Sequence, residues 1–221
     1  LVNALLHYQF SDILYLSSSI FYKKMENLTR FPLGSSLPSL NSYVDFNWQR
    51  RLLLGEGIAK GGELDEQYKT TNLMAQLAYT LSDYQRIFPE VEEGNAFPFA
   101  FNQRHNLSFS SSYQFHKNIA FQLSFAFNDG LQQTLYRNDF YSPLDAVSYY
   151  FTEQISRTNA RKLPTYHRLD VALSMKFNRK LKQNLVVGVQ NVYNRRNIYY
   201  QYIRSFYDVQ GNLLGNRLTD I

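Results

Sequence analysis

The sequence predicts an all-β fold, an antiparallel arc of a transmembrane β-barrel. Three observations point there: period-two patterning, connections sorted by length, and an aromatic-rich composition with no apolar run long enough for a membrane helix. From Leu107 to Phe115 the odd positions are Leu107, Phe109, Ser111, Tyr113 and Phe115, against Ser108, Ser110, Ser112 and Gln114. After His116-Lys117-Asn118 the pattern resumes, with Ile119, Phe121, Leu123, Phe125 and Phe127 against Ala120, Gln122, Ser124 and Ala126. Successive strand side chains point to opposite faces, so each run builds one greasy face and one polar, nearly uncharged face. A short polar break between two such runs is a hairpin.

Taken in order, Leu1 to Leu6 reads as the close of an earlier strand and Ser11 to Lys24 as the next one. Asn27 to Asn41 reads as a loop, because Pro32, Gly34 and Pro38 punctuate a serine-rich stretch. Tyr43 to Leu54 is strand-like, followed by Gly55, Gly57, Gly61 and Gly62. These glycines make no phosphate loop, since no Lys-Ser/Thr follows; in a strand they mark a bulge or a close backbone approach. Thr71 to Leu81 alternates, and Ser82 to Arg104 reads as a long connection with Pro89, Gly94 and Pro98. The Leu107–Phe127 hairpin comes next, then Asn128 to Pro164, the longest connection. A second hairpin sets Leu169, Val171, Leu173, Met175 and Phe177 against Arg168, Asp170, Ala172, Ser174 and Lys176. It turns at Asn178 to Gln183 and returns through Leu185, Val187, Val189 and Tyr193, with strand character continuing through Tyr199 to Tyr202. The tail from Asp208 reads as loop, with no closing strand.

This gives roughly eight strands, each with about 9–11 membrane residues. Short turns alternate with long connections, as they do when one end of a barrel faces the periplasm and the other the exterior. Eight strands could close a small barrel, but a tail without a final strand predicts an arc of a larger one.

Composition narrows the function. Tyr (18) and Phe (17) suit strands and aromatic girdles. Cysteine is absent, which excludes disulfides and thiolate chemistry within this chain. Net charge is +5, but Arg50-Arg51, Lys117, Arg179-Lys180, Lys182 and Arg195-Arg196 are scattered rather than gathered on a stripe, so no nucleic-acid partner is expected. No nucleophile, base and oxyanion donor occur together, and four scattered His make no metal set; we expect no catalytic residue, no metal site and no cofactor. Two alternatives stay open: a small structural or adhesive outer-membrane barrel, and a soluble β-sandwich carbohydrate-binding module.

Several segments then carry a family likeness: Phe21 to Leu28 (FYKKMENL), Gly55 to Leu64 (GEGIAKGGEL), Ala78 to Ser82 with Arg86-Ile87-Phe88 and Gly94 to Pro98, Asn102 to Leu107 (NQRHNL), Leu163 to Asp170 (LPTYHRLD) and Gly188 to Asn197 (GVQNVYNRRN). In this order they resemble the C-terminal part of the β-barrel of TonB-dependent outer-membrane receptors, in the form common among Bacteroidetes. Asn102 stands where that family usually has Asp. The resemblance implies a barrel of about 22 strands with a plugged lumen. Residues 1–221 would supply part of its wall, with the plug domain and closing strand absent. It further implies a Gram-negative outer-membrane receptor that takes up a scarce nutrient with energy from the TonB complex, acting through the plug. Outer-membrane lipid is then a partner, and a surface lipoprotein is a candidate one.

On this reading Ser108, Ser110, Ser112, Arg168 and Asp170 face the lumen or plug. The substrate-binding candidates are loop aromatics and their neighbour: Tyr136, Arg137, Tyr141, Tyr149 and Tyr150, in the longest connection. The substrate itself is not legible.

Overall fold

The computed structural model describes residues 1–32, 52–141, 149–178, 183–208 and 213–221, with side chains left out at 138–141, 149–153 and 178. In chain order the strands are β1 (Val2–Gln9), β2 (Leu14–Arg30), β3 (Leu53–Lys69), β4 (Leu73–Ile87), β5 (Phe97–Pro98), β6 (His105–His116) and β7 (Ile119–Asn128). Then come β8 (Gln132–Gln133), β9 (Tyr136–Tyr141), β10 (Tyr149–Gln154), β11 (Arg161–Lys162), β12 (Tyr166–Asn178), β13 (Gln183–Val189), β14 (Gln201–Tyr207) and β15 (Leu213–Asp220). One sheet runs β1-β2-β3-β4-β6-β7-β12-β13, with β5 paired to β4. Every neighbouring pair in it is antiparallel.

Register turns the period-two pattern into two continuous faces. One row crosses the sheet through Leu16, Glu66, Leu77, Phe109, Phe125 and Leu169. The adjacent row, on the other face, runs Ser17, Asp65, Ala78, Ser108, Ala126 and Arg168. Glu66 is the charged exception in the apolar row. A one-residue slip would swap the faces of every strand beyond it, so the alternation itself fixes the register. The apolar face is uncovered: Phe115, Phe121 and Val187 are 54%, 40% and 57% exposed. A sandwich would seal such a face against a second sheet.

The turns β1–β2, β3–β4, β6–β7 and β12–β13 all lie at one end and all are short; Lys117-Asn118 is a two-residue turn. The connections after β2, β4 and β7 lie at the other end and are long. The buried core sits at that long-loop end, where Phe88, Val91 and Phe97 pack with Leu28 and Leu53. A second sheet, β10-β9-β14-β15, and the β8–β11 pair are built from the long connections and the tail.

Several elements differ from the sequence reading. β2 continues through Asn27–Arg30, which read as loop, and β4 continues to Ile87, which read as connection. Among its described residues the Asn128–Pro164 connection holds four strands, β8 to β11. The tail is not loop: Leu213–Asp220 is β15, antiparallel to β14 in the second sheet. Gly215 and Asn216 interrupt the alternation that would mark it as a strand. Of the Tyr43–Leu54 segment, Tyr43 to Arg51 lies outside the described residues, as does most of the Leu33–Asn41 stretch.

Candidate functional site

The polar face is concave. Gln67, Gln76, Ser110, Ser112, Gln122, Ser124 and Asp170 line a trough of about 620 Å³ along it. Short polar side chains at alternate positions keep the floor low, and they bond laterally. Gln76 Nε2 donates to Asp65 Oδ2 at 2.8 Å, Gln67 Nε2 donates to Asp65 Oδ1 at 3.2 Å, and Ser19 Oγ donates to Glu63 at 3.1 Å. Ser110, Ser112 and Asp170 therefore line the trough, while Ser108 and Arg168 share its face one row away, on either side of Ala126.

Asp170 also has a structural task. Arg168 Nη2 pairs with its Oδ2 at 2.8 Å, and its Oδ1 accepts the Asn191 N–H at 2.8 Å. Asn191 and Asn194 both take φ of +51°, a left-handed conformation that asparagine tolerates better than most residues. The Asn191 carboxamide closes the turn by bonding both the N–H and the C=O of Arg195, each at 3.0 Å. Arg195 Nη2 then reaches the Thr165 carbonyl at 3.0 Å. The Asn-Val-Tyr-Asn-Arg-Arg-Asn segment is thus a built corner that carries the chain from the main sheet into the loop layer.

At the long-loop end, the trough-side positions of β3 are Gly55, Gly57, Ala59 and Gly61. A Cβ on Gly55 would lie 2.6 Å from the Phe88 ring, and one on Gly61 would lie 2.8 Å from the Phe21 ring. The glycines let aromatic rings lie against the backbone, the close approach expected of glycine within a strand. Over this layer sit two arginines. Arg86 Cζ lies 3.7 Å from the Phe99 ring centroid, and Arg30 Cζ lies 5.6 Å from both Phe88 and Phe97. Sequence alone singles out neither, because Arg30 falls in a segment that reads as loop and Arg86 in one that reads as a long connection. The available signal was phase: Arg86 continues the even-position series of Gln76, Thr80 and Ser82.

The loop candidates are only partly brought together. Tyr136, Arg137 and Tyr141 lie on β9, and Tyr149 and Tyr150 on β10, in one hairpin that sets Tyr141 opposite Tyr149. The side chains of Tyr136 and Arg137 are half-buried; those of Tyr141, Tyr149 and Tyr150 lie outside the described residues. The layer is held by polar contacts over long sequence separations. Gln133 Nε2 donates to the Gln201 carbonyl at 2.7 Å, and Gln201 N–H donates back to Gln133 Oε1 at 3.2 Å. Glu92 accepts the Thr158 N–H at 2.6 Å and pairs with Arg157 at 3.3 Å. These contacts hold the Glu92 carboxyl below the usual carboxylate range, the Thr158 hydrogen bonds first and Arg157 after them.

The family model described as TonB dependent receptor-like, beta-barrel, matches residues 4–192. No curated relative is detectable by sequence. Among solved structures, the chain is similar to the closed-form crystal structure of the ferric-catecholate import receptor Fiu from E. coli K12, with a TM-score of 0.57 and 13% identity. That alignment covers 89% of this chain and 24% of the Fiu chain, so the chain spans about a quarter of that receptor's length. At this identity the likeness bears on fold, and it agrees with a one-layer sheet whose polar face is concave. The family match covers most of the sequence, including the glycine track, the trough strands and the start of the asparagine corner: this chain belongs to the TonB-dependent receptor β-barrel family.

Proposed function

We propose that the chain is part of the wall of an outer-membrane receptor for TonB-dependent nutrient uptake, of the Bacteroidetes type. One observation carries this beyond family membership: the apolar face is continuous and uncovered, and the connections are short at one end and long at the other. Lipid covers the apolar face. The concave face, with Ser108, Ser110, Ser112, Arg168 and Asp170, borders the lumen and a plug carried elsewhere in the protein. The short turns face the periplasm, and the long-loop layer captures ligand, alone or with a surface lipoprotein. β1 and β13 each have one strand neighbour among the described residues, and these are the edges at which neighbouring wall strands of a whole receptor would pair.

The test uses the full-length protein in a Gram-negative host. We expect it in the outer-membrane fraction, with a folded band that shifts on boiling, and we expect it to be captured by the periplasmic domain of TonB. A protein that is stable and monomeric in the aqueous fraction without detergent would defeat this reading in favour of a soluble module. Outer-membrane insertion without any TonB capture would favour the structural or adhesive barrel.

A further inference from the structure

We propose that Arg204 and Arg217, set directly opposite each other on the β14–β15 hairpin, bind a doubly charged oxyanion group on a ligand taken up from outside. The proposal rests on the receptor reading and names the ligand chemistry for it. Strand register makes the pair. Arg204 is the antiparallel partner of Arg217, and the same register sets Tyr202 opposite Thr219 and Phe206 opposite Gly215. Directly opposed residues share a face, with Cβ atoms about 4.5–5.5 Å apart, so the two side chains start from adjacent points. Both line one cavity of about 510 Å³, with Phe206, Leu218, Thr219 and Asp220.

Like charges directly opposite each other destabilise a strand pair, and the protein leaves this pair uncompensated. Neither guanidinium makes a hydrogen bond or an ion pair among the described residues. Asp220, the carboxylate among the lining residues, belongs to the other face of the hairpin, opposite Gln201, and its Oδ1 accepts Gln201 Nε2 at 2.8 Å. The Phe206 ring, 41% exposed, has its centroid 5.5 Å from Arg204 Cζ, which backs that guanidinium and leaves its N–H edges as donors. A Cβ on Gly215 would meet nothing within 4 Å, so the space beside Phe206 and Arg217 is open. Guanidinium edges recognise oxyanions by paired, charge-assisted hydrogen bonds. A group with two charges and several oxygens cancels the repulsion and serves both arginines; a singly charged one leaves half of it standing. The hairpin pairs with β9 and not with the main sheet. The pair therefore belongs to the loop layer that the receptor reading assigns to capture, and not to the face it assigns to lipid.

The test titrates the full-length receptor in detergent, at fixed ionic strength, with sulfate and with its singly charged ester methyl sulfate. Sulfate should bind the tighter of the two. Arg204→Gln and Arg217→Gln should each weaken it by roughly tenfold or more, the scale of one lost charge-assisted hydrogen bond, and together they should abolish it. Without anion, Arg217→Gln should unfold at the same urea concentration as wild type or a higher one, because a like-charge pair is relieved. Sulfate should raise the wild-type midpoint and leave that of the double variant unmoved. Methyl sulfate binding as tightly as sulfate, sulfate binding untouched in the double variant, or a loss of anion-free stability in Arg217→Gln overturns the proposal. So does lipopolysaccharide that copurifies with wild type and not with the double variant while free sulfate fails to bind, since the pair then serves a lipid phosphate. TonB capture of the wild-type protein tests the receptor reading separately. Capture without sulfate binding sinks the anion site alone, and sulfate binding without capture sinks the receptor reading alone.

Discussion

The carboxamide of Asn197 pairs with both backbone groups of His167: its Oδ1 accepts the His167 N–H at 3.2 Å and its Nδ2 donates to the His167 carbonyl at 3.1 Å. One side chain thus does what a paired strand residue would do, just where β13 has ended and, among the described residues, no strand residue is in register with His167 on that side. Buried or half-buried backbone groups need partners, and Asn is the smallest side chain that offers a donor and an acceptor in one plane.

Asn197→Ala removes both bonds and should cost about 1–3 kcal/mol. The loss should appear as a lower urea midpoint for the folded band on semi-native gels. Asn197→Asp keeps an acceptor and loses the donor, so it should fall between wild type and Ala. An Ala variant as stable as wild type would mean that water serves His167 equally well.

The glycine track gives a second expectation. Gly55→Ala sets a methyl against the Ile87 carbonyl and 2.6 Å from the Phe88 ring, in a cluster that includes the most deeply buried side chain among the described residues. Overpacking of this kind typically costs about 1–3 kcal/mol. The same change at Gly215, where nothing lies within 4 Å, should be close to neutral. Thermal denaturation of the two variants side by side checks the contrast.

Glu92 makes the loop layer acid-sensitive in one direction. Its folded pKa lies below the unfolded value of about 4.3. The contribution is therefore fully present above that value and is lost as pH falls through the folded pKa. The protection factor of the Thr158 amide, its exchange corrected for the intrinsic rate at each pH, should fall on acidification below about pH 4.3, the unfolded carboxyl value. Glu92→Gln should have a lower protection factor at neutral pH, and one that changes little further with acid. Acid-insensitive protection in the wild type would remove Glu92 as the latch.

What the sequence made legible follows from what each strand segment borders. Where one face is greasy and the other polar, as in β6, β7, β12 and β13, the period-two pattern is strong enough to set faces and turns. It fails in the upper part of β4, where Asp83 and Gln85 occupy the apolar face and Tyr84 and Arg86 the other. Both sides are amphipathic there, so the contrast that marks a strand disappears while the backbone ladder continues. The sequences of β9 (YRNDFY), β10 (YYFTEQ) and β15 (LLGNRLTD) carry no clean alternation either. Ser108, Ser110 and Ser112 were placed on the polar face by phase alone. Arg30 and Arg86 needed the register of β2, β3 and β4 to be seen as neighbours. The bonds of Asn191, Asp170 and Asn197 depend on a corner whose shape no local pattern announces.

Lipid contact at adjacent residues reports most directly on whether the sheet is a two-faced wall. These 221 residues hold no cysteine, so single cysteines at Ser108, Phe109 and Ser110 can each carry a bimane label in a full-length receptor cleared of any other cysteine and reconstituted in bilayers with brominated lipid. Strong quenching at position 109, with little at 108 and 110, is the predicted result. Equal quenching at all three positions, or strong quenching at 108 and 110 with none at 109, would contradict the assignment of the apolar face to lipid.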